Sequence, residues 1–249
     1  MKIDDFSLNL DSDLVPWRLF SPDNTKKEHC ILWLQGWTSS MDSHKESVER
    51  MANQTGITFA TLDYAGHGLH ELPIEESTRK QQHEEVVAVF DELKIRGYKK
   101  ITVIGGSFGG YMAALLVGKR PIHAAILRVP AIYDDKEFNL AYKQTKRWQN
   151  SDAYRENKAP EEYIQSNKAV SSVAGFDGFI YILEHELDEK VPKIMPQTYF
   201  NNARYGNYLI IPKTKHSPKT MANPVPYYRY IEHMILSIIE AIKMQSVLE

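Results

Sequence analysis

The run Ile101-Thr-Val-Ile-Gly105-Gly-Ser107-Phe-Gly109-Gly-Tyr111-Met-Ala-Ala-Leu115 constrains this chain more than any other stretch. Its first part is β-branched and apolar and reads as a strand. Residues 111–117 read as a helix, stopped by Gly118 and Pro121. Only a few residues separate the two, so the chain must turn sharply with a serine at the bend, in the pattern G-x-S-x-G. Side chains at positions 105 and 109 would collide with neighbouring backbone in so tight a turn. The turn leaves Ser107 at a helix N-terminus, where backbone N–H groups and the helix dipole favour developing negative charge. A glycine-rich turn that cradles phosphate is the competing reading. No Lys-Ser/Thr follows it, however, and the spacing is not G-x-G-x-x-G.

The rest of the chain fits around such a turn. Residues 6–10 and 15–20 alternate like the half-buried strands of an N-terminal hairpin. Nearly continuous apolar runs follow at 30–34, 57–62, 101–104, 124–129, 179–183 and 208–211, as expected of strands buried on both faces. Helical patterns lie between them. The last helix carries Ile231, Met234, Ile235, Ile238, Ile239 and Ile242 at helical spacing, a core-facing stripe. The alternation predicts an α/β protein with a mostly parallel eight-stranded sheet flanked by helices. Residues 131–178 break the rhythm: they are polar with scattered aromatics and long for one crossover. They are read as a small helical cap inserted into a core made of residues 1–130 and 179–249.

Composition narrows the partners. Thirty Lys and Arg face thirty-two Asp and Glu, for a net charge of −2, so no strong field recruits nucleic acid or an anionic membrane. The single cysteine, Cys30, excludes an intramolecular disulfide and reads as a buried small hydrophobe. His67 and His70 hint at a metal pair but lack a matching third ligand, so no metal or cofactor is expected. The N-terminal stretch reads as neither signal nor transit peptide, and a cytoplasmic location is expected.

A serine nucleophile needs a base, and the base needs an orienting acid. With this kind of turn the chain order is nucleophile, acid, histidine. Two histidines come late enough. His233 lies within the last amphipathic helix, whereas His216 follows the run 208–211 in a loop, where strand ends converge. His216 is therefore the expected base. Asp188 follows the run 179–183 and is the expected acid. Glu184 and Glu186 in the same stretch, and Asp134 or Asp135 after the preceding strand, stay open as rivals. Phe108 and Trp37 are expected to offer amides to an oxyanion, and Trp37, Tyr142 and Trp148 are candidates for contact with substrate.

Together these motifs resemble the α/β-hydrolase superfamily. The resemblance rests on Gln35-Gly36-Trp37 in place of the family's His-Gly-x and on Asp63-Tyr-Ala-Gly66-His67-Gly68. It rests also on Gly105 to Gly110, on Glu186-Leu-Asp188-Glu-Lys-Val191-Pro192 and on His216-Ser217. In size the chain is similar to small single-domain acyl and cinnamoyl esterases. The turn at Ser107 also looks like that of prolyl-oligopeptidase-type peptidases, which normally carry a propeller domain. Two positions depart from the pattern: Gln35 replaces a histidine, and His185 stands where glycine is common. The resemblance implies a serine hydrolase that cleaves a small-molecule carboxylic ester through Ser107, His216 and Asp188. A peptidase or amidase on the same residues is the alternative. A non-catalytic ligand-binding protein is a third reading, against which all three residue types are present. Oligomeric state is not readable.

Overall fold

The computed structural model describes every residue except Ser12, Asn24, 147–163, Gln165 and Glu249. The hairpin and all six apolar runs are strands. β1 (Lys2–Leu10) and β2 (Asp13–Ser21) form the antiparallel hairpin, and β2 pairs antiparallel with β4 (Thr58–Leu62). From β4 onward the sheet is parallel, through β3 (His29–Leu34), β5 (Lys100–Gly106), β6 (Ala124–Arg128), β7 (Phe179–Leu187) and β8 (Gly206–Lys215). The order across the sheet is β1-β2-β4-β3-β5-β6-β7-β8.

Six helices cover the two faces among the described residues. They are α1 (Met41–Thr55), α2 (Arg79–Ile95), α3 (Phe108–Val117), α4 (Lys168–Ala174), α5 (Ile194–Asn202) and α6 (Val225–Leu248). One core holds Val86, Phe90, Tyr111, Met112, Val170, Val173 and Tyr199 against the sheet, from α2, α3, α4 and α5. The other face packs Val48 and Met51 of α1 against Ile231, Ile235, Ile238 and Ile242 of α6, the expected stripe. No described helix is long and apolar enough to cross a membrane.

The strand order decides where the site lies. The chain leaves β3 for β4 on one side and returns to β5 on the other, so the loops after β3 and β5 diverge and leave a crevice at their strand ends. The stretch 131–178 needs one correction. Its last part, α4, is a crossover helix of the core: Ala169, Val170 and Val173 are buried in the same cluster as α3. The described residues before it include two single-turn 3₁₀ helices, Asp135–Glu137 and Tyr142–Gln144. Trp148, a candidate for substrate contact, lies outside the described residues.

Candidate active site

Ser107 joins β5 to α3 with φ 54 and ψ −112, a conformation that L-residues avoid. Three backbone hydrogen bonds hold it there. Its N–H donates to Arg128 O at 2.9 Å, and its carbonyl accepts from Tyr111 N and Ala131 N, each at 3.1 Å. The expected glycine collisions are present. A Cβ on Gly105 would stand 2.7 Å from Gly110 N, and one on Gly109 would stand 2.6 Å from Gln35 O while overlapping Leu34 O. These are backbone atoms that no rotamer change can clear. Thr38 (φ 61) and Val129 (φ 41) are also left-handed, and with Ser107 they line one cleft of about 910 Å³. Strain is thus concentrated at the strand ends around Ser107.

The loop after β3 lies against the serine. A Cβ on Gly36 would be 3.8 Å from Ser107 Cβ. Gln35, which replaces the more usual histidine, anchors this loop. Its Nε2 donates to Leu62 O and to Asp63 Oδ1 (3.2 Å), and its Oε1 accepts from Thr61 Oγ1 at 3.0 Å. Asp63 in turn accepts from the amides of Met41 (2.8 Å) and Leu69 (2.9 Å), tying α1 and the loop after β4 to the same point. Trp37 is half-buried, with its ring centroid 4.2 Å from that of Tyr142, 5.4 Å from Phe108 and 5.2 Å from His67. Burial lowers the His67 pKa to about 4, so the ring is neutral; its Nδ1–H donates to Ala65 O at 3.2 Å. His67 is a packing residue.

His216 follows β8, and its Nδ1 donates to Asp188 at 2.9 Å (Oδ1) and 2.8 Å (Oδ2). Asp188 also accepts from the amides of Lys190 (2.7 Å) and Val191 (2.9 Å). Burial pushes this carboxyl up, but the His216 hydrogen bond and charge with the two amides outweigh it and hold the pKa below the usual value. The rival acids are engaged elsewhere. Glu184 accepts from Tyr208 and pairs with Lys193 at 3.4 Å. Glu186 accepts from Lys213 N at 2.6 Å, Asp134 from Lys136 N at 2.9 Å, and Asp135 from Lys168 N at 2.8 Å. His233 is exposed on α6. Ser107 and His216 share the cleft, although no hydrogen bond joins them among the described residues. Such bonds commonly tighten only once substrate is bound.

The lining of the cleft includes two sets of residues, here called its arms, that differ in chemistry. One holds Trp37, Tyr133, Tyr142, Ile132 and Met195. Tyr142 is buried, and its hydroxyl donates to Gln82 Oε1 at 2.8 Å. The other arm holds Trp33, His44, Arg128 and Lys219. Sequence reasoning missed Arg128 and Lys219. The signal for Arg128 was available: it is the one charge in the apolar run 124–129. Burial, then the nearby charges of Lys219 and Arg128, lower the His44 pKa to about 3, so His44 is neutral. Desolvation, then Arg128, lowers Lys219 to about 8, against an opposing pull from Glu46.

The segment that carries the strand–serine–helix turn matches a known family. The family model described as serine aminopeptidase, S33, matches residues 25–174, more than half of the chain. The chain belongs to this family. Its S33 match takes in β3 through α4, including Ser107 but neither Asp188 nor His216. The α/β-hydrolase fold is shared with solved structures of low sequence identity. Est1E from Butyrivibrio proteoclasticus, in a structure with ferulic acid bound, superposes with a TM-score of 0.73 at 16% identity, covering 94% of this chain and 99% of that one. Proline iminopeptidase from Mycobacterium smegmatis superposes at 0.69 with 12% identity, covering 96% and 100%. A curated relative, ethanol acetyltransferase 1 of Wickerhamomyces anomalus, is 26% identical over 110 residues, which are 43% of this chain and only 27% of that protein.

Proposed function

We propose that this S33-family hydrolase cleaves carboxylic esters through Ser107, His216 and Asp188. The observation that carries the reading is the Asp188–His216 pair at 2.8 Å, opening on the cleft that holds Ser107 in a strained helix-terminal position. In this reading His216 Nε2 takes the Ser107 proton as Oγ attacks the ester carbonyl carbon. Asp188 fixes the Nδ1–H tautomer and stabilises the imidazolium. The amides of Phe108, at the start of α3, and Trp37, next to Gly36, hold the tetrahedral oxyanion. The imidazolium then protonates the departing alkoxide, leaving an acyl-serine. Water, deprotonated by His216, attacks that acyl group, and the serine recovers its proton as the acid leaves.

The family's description favours a second reading, amide cleavage at a peptide N-terminus. The lining of the cleft speaks against it. Among its described residues one acid, Glu189, stands with three cations, Arg128, Lys190 and Lys219, which repel an α-ammonium group. The test compares a 4-nitrophenyl ester with the anilide of the same acid and maps labelling by a fluorophosphonate. Ester turnover should exceed anilide turnover, with the label on Ser107. Undiminished ester hydrolysis by Ser107→Ala refutes the nucleophile, and a preference for the anilide refutes the ester reading.

A further inference from the structure

We propose that Arg128 and Lys219 form an anion subsite beside Ser107 and that the substrate is an ester carrying a carboxylate. This specificity rests on the ester reading above. Arg128 is 6% exposed, yet no carboxylate pairs with it among the described residues. The other buried arginines are compensated: Arg18 by Asp5 and Asp42, and Arg79 by Glu137 at 3.6 Å. An unpaired buried cation is costly, and it persists where an anion arrives to complete it.

The guanidinium is also held in a fixed pose. Its carbon lies 4.7 Å from the Trp33 ring centroid and 5.3 Å from that of Tyr227. Its Nε donates to Tyr227 Oη at 2.7 Å. Burial, then the charge of Arg128, lowers the His185 pKa to about 4, so this ring is neutral. His185 Nδ1–H must donate to Lys215 O (2.8 Å), which leaves Nε2 to accept from the Tyr227 hydroxyl (3.0 Å). The relay Arg128–Tyr227–His185–Lys215 therefore consumes Nε and leaves the two terminal nitrogens for the cleft that Arg128 lines. A Cβ on Gly106 would stand 3.4 Å from Arg128 Nη2, so the residue before the nucleophile lies directly beside the guanidinium. A planar fork in this pose suits a carboxylate, and Lys219 adds a second charge on the same arm. The aromatic lining at Trp37 and Tyr142 takes the apolar part of the same molecule.

Two pairs of esters place the charge on either side of the scissile bond. One pair is 4-nitrophenyl hemiglutarate and 4-nitrophenyl pentanoate; the other is 4-acetoxybenzoate and 4-methylphenyl acetate. Each kcat/KM is normalised to the hydroxide-catalysed rate of the same ester. In one pair the anionic member should be favoured about 10- to 100-fold, the range of hydrogen bonds to a charged group. That ratio should fall towards one in Arg128→Met and in Lys219→Met, the latter an exposed position whose substitution spares the core. Glutarate should inhibit hydrolysis of the neutral pentanoate more than sodium chloride of equal ionic strength. Ratios at or below one for both pairs, in wild-type protein that hydrolyses the neutral esters, overturn the subsite and leave the ester reading standing. No turnover of any of the four esters, with Ser107 unlabelled by a fluorophosphonate, overturns both.

Discussion

Gly109→Ala tests the packing that holds the nucleophile and the loop after β3 together. The new methyl would overlap Leu34 O and approach Gln35 O to 2.6 Å, with carbonyl carbon close behind. Leu34 ends β3, a strand paired on both edges, and Gln35 follows it directly, anchored by its side-chain hydrogen bonds, so neither oxygen moves without shifting the sheet or helix α3. The two elements must part by about 1 Å to reach normal contact, and overpacking of this kind costs up to about 3 kcal/mol. For a domain of this size each kcal/mol is worth about 2–4 °C, so Tm should fall by up to about 6–12 °C. The same displacement moves Ser107 relative to Gly36 and Trp37, and a misplacement of about 1 Å can cost about 100-fold in turnover. Gly175→Ala is the control. Its Cβ would make ordinary contacts of 3.7 Å with Ser171 O and 3.8 Å with Ser172 O at a right-handed backbone position. It should be neutral or stabilising by up to about 1 kcal/mol. Scanning calorimetry gives Tm, and a 4-nitrophenyl ester gives kcat/KM. A Gly109→Ala protein that melts within a degree of wild type would show that the turn is not held by this contact.

Three further outcomes follow from the same geometry. Ser107→Gly and Ser107→Ala should both lose ester hydrolysis, but Ser107→Gly should melt higher, because at φ 54, ψ −112 a Cβ costs about 1–3 kcal/mol; equal melting temperatures would deny the strain. Asp188→Asn should lower kcat by about 10⁴-fold, as loss of the orienting carboxylate does in triads generally. Because the folded Asp188 pKa is depressed, its stabilising effect is present above the ordinary carboxylate range and is lost as pH falls through the lowered value. The Tm gap between wild type and Asp188→Asn should therefore close in strong acid, and a gap constant with pH refutes the linkage. Any preference for anionic esters should weaken as pH rises through about 8, where Lys219 loses its proton between Arg128, neutral His44 and Glu46; Lys219→Met should flatten that step, and an unchanged step would place its origin elsewhere.

Legibility of the fold followed the density of apolar pattern. All eight strands announced themselves, the hairpin by alternation and the others by apolar runs, densest in β3, β4 and β6, because strands buried on both faces tolerate almost nothing polar. Helix α1 did not stand out, since only Met41, Val48, Met51 and Ala52 are buried over fifteen residues. Helix α5 carries Pro196 and little periodicity. Helix α4 does not stand out from the cap stretch because Lys168–Ala174 is short and follows a polar stretch; its place against α3 is set by three buried side chains.

The sequence by itself determined the turn at Ser107. Glycines flanking a serine between an apolar strand and a helix leave the chain one way to fold, and that constraint is local. The order of acidic residues and histidines along the chain narrowed the rest. Only the tertiary structure brings Asp188, and none of its four rivals among the described residues, within hydrogen-bond distance of His216, because a contact across twenty-eight residues depends on how β7 and β8 align. It alone also disclosed the second arm of the cleft. Arg128, Tyr227, His185 and Lys219 come from β6, α6, β7 and the turn after β8, and nothing in their spacing joins them. What joins them is the parallel sheet, which brings distant strand ends to one edge, where a buried charge with no carboxylate partner among the described residues becomes visible.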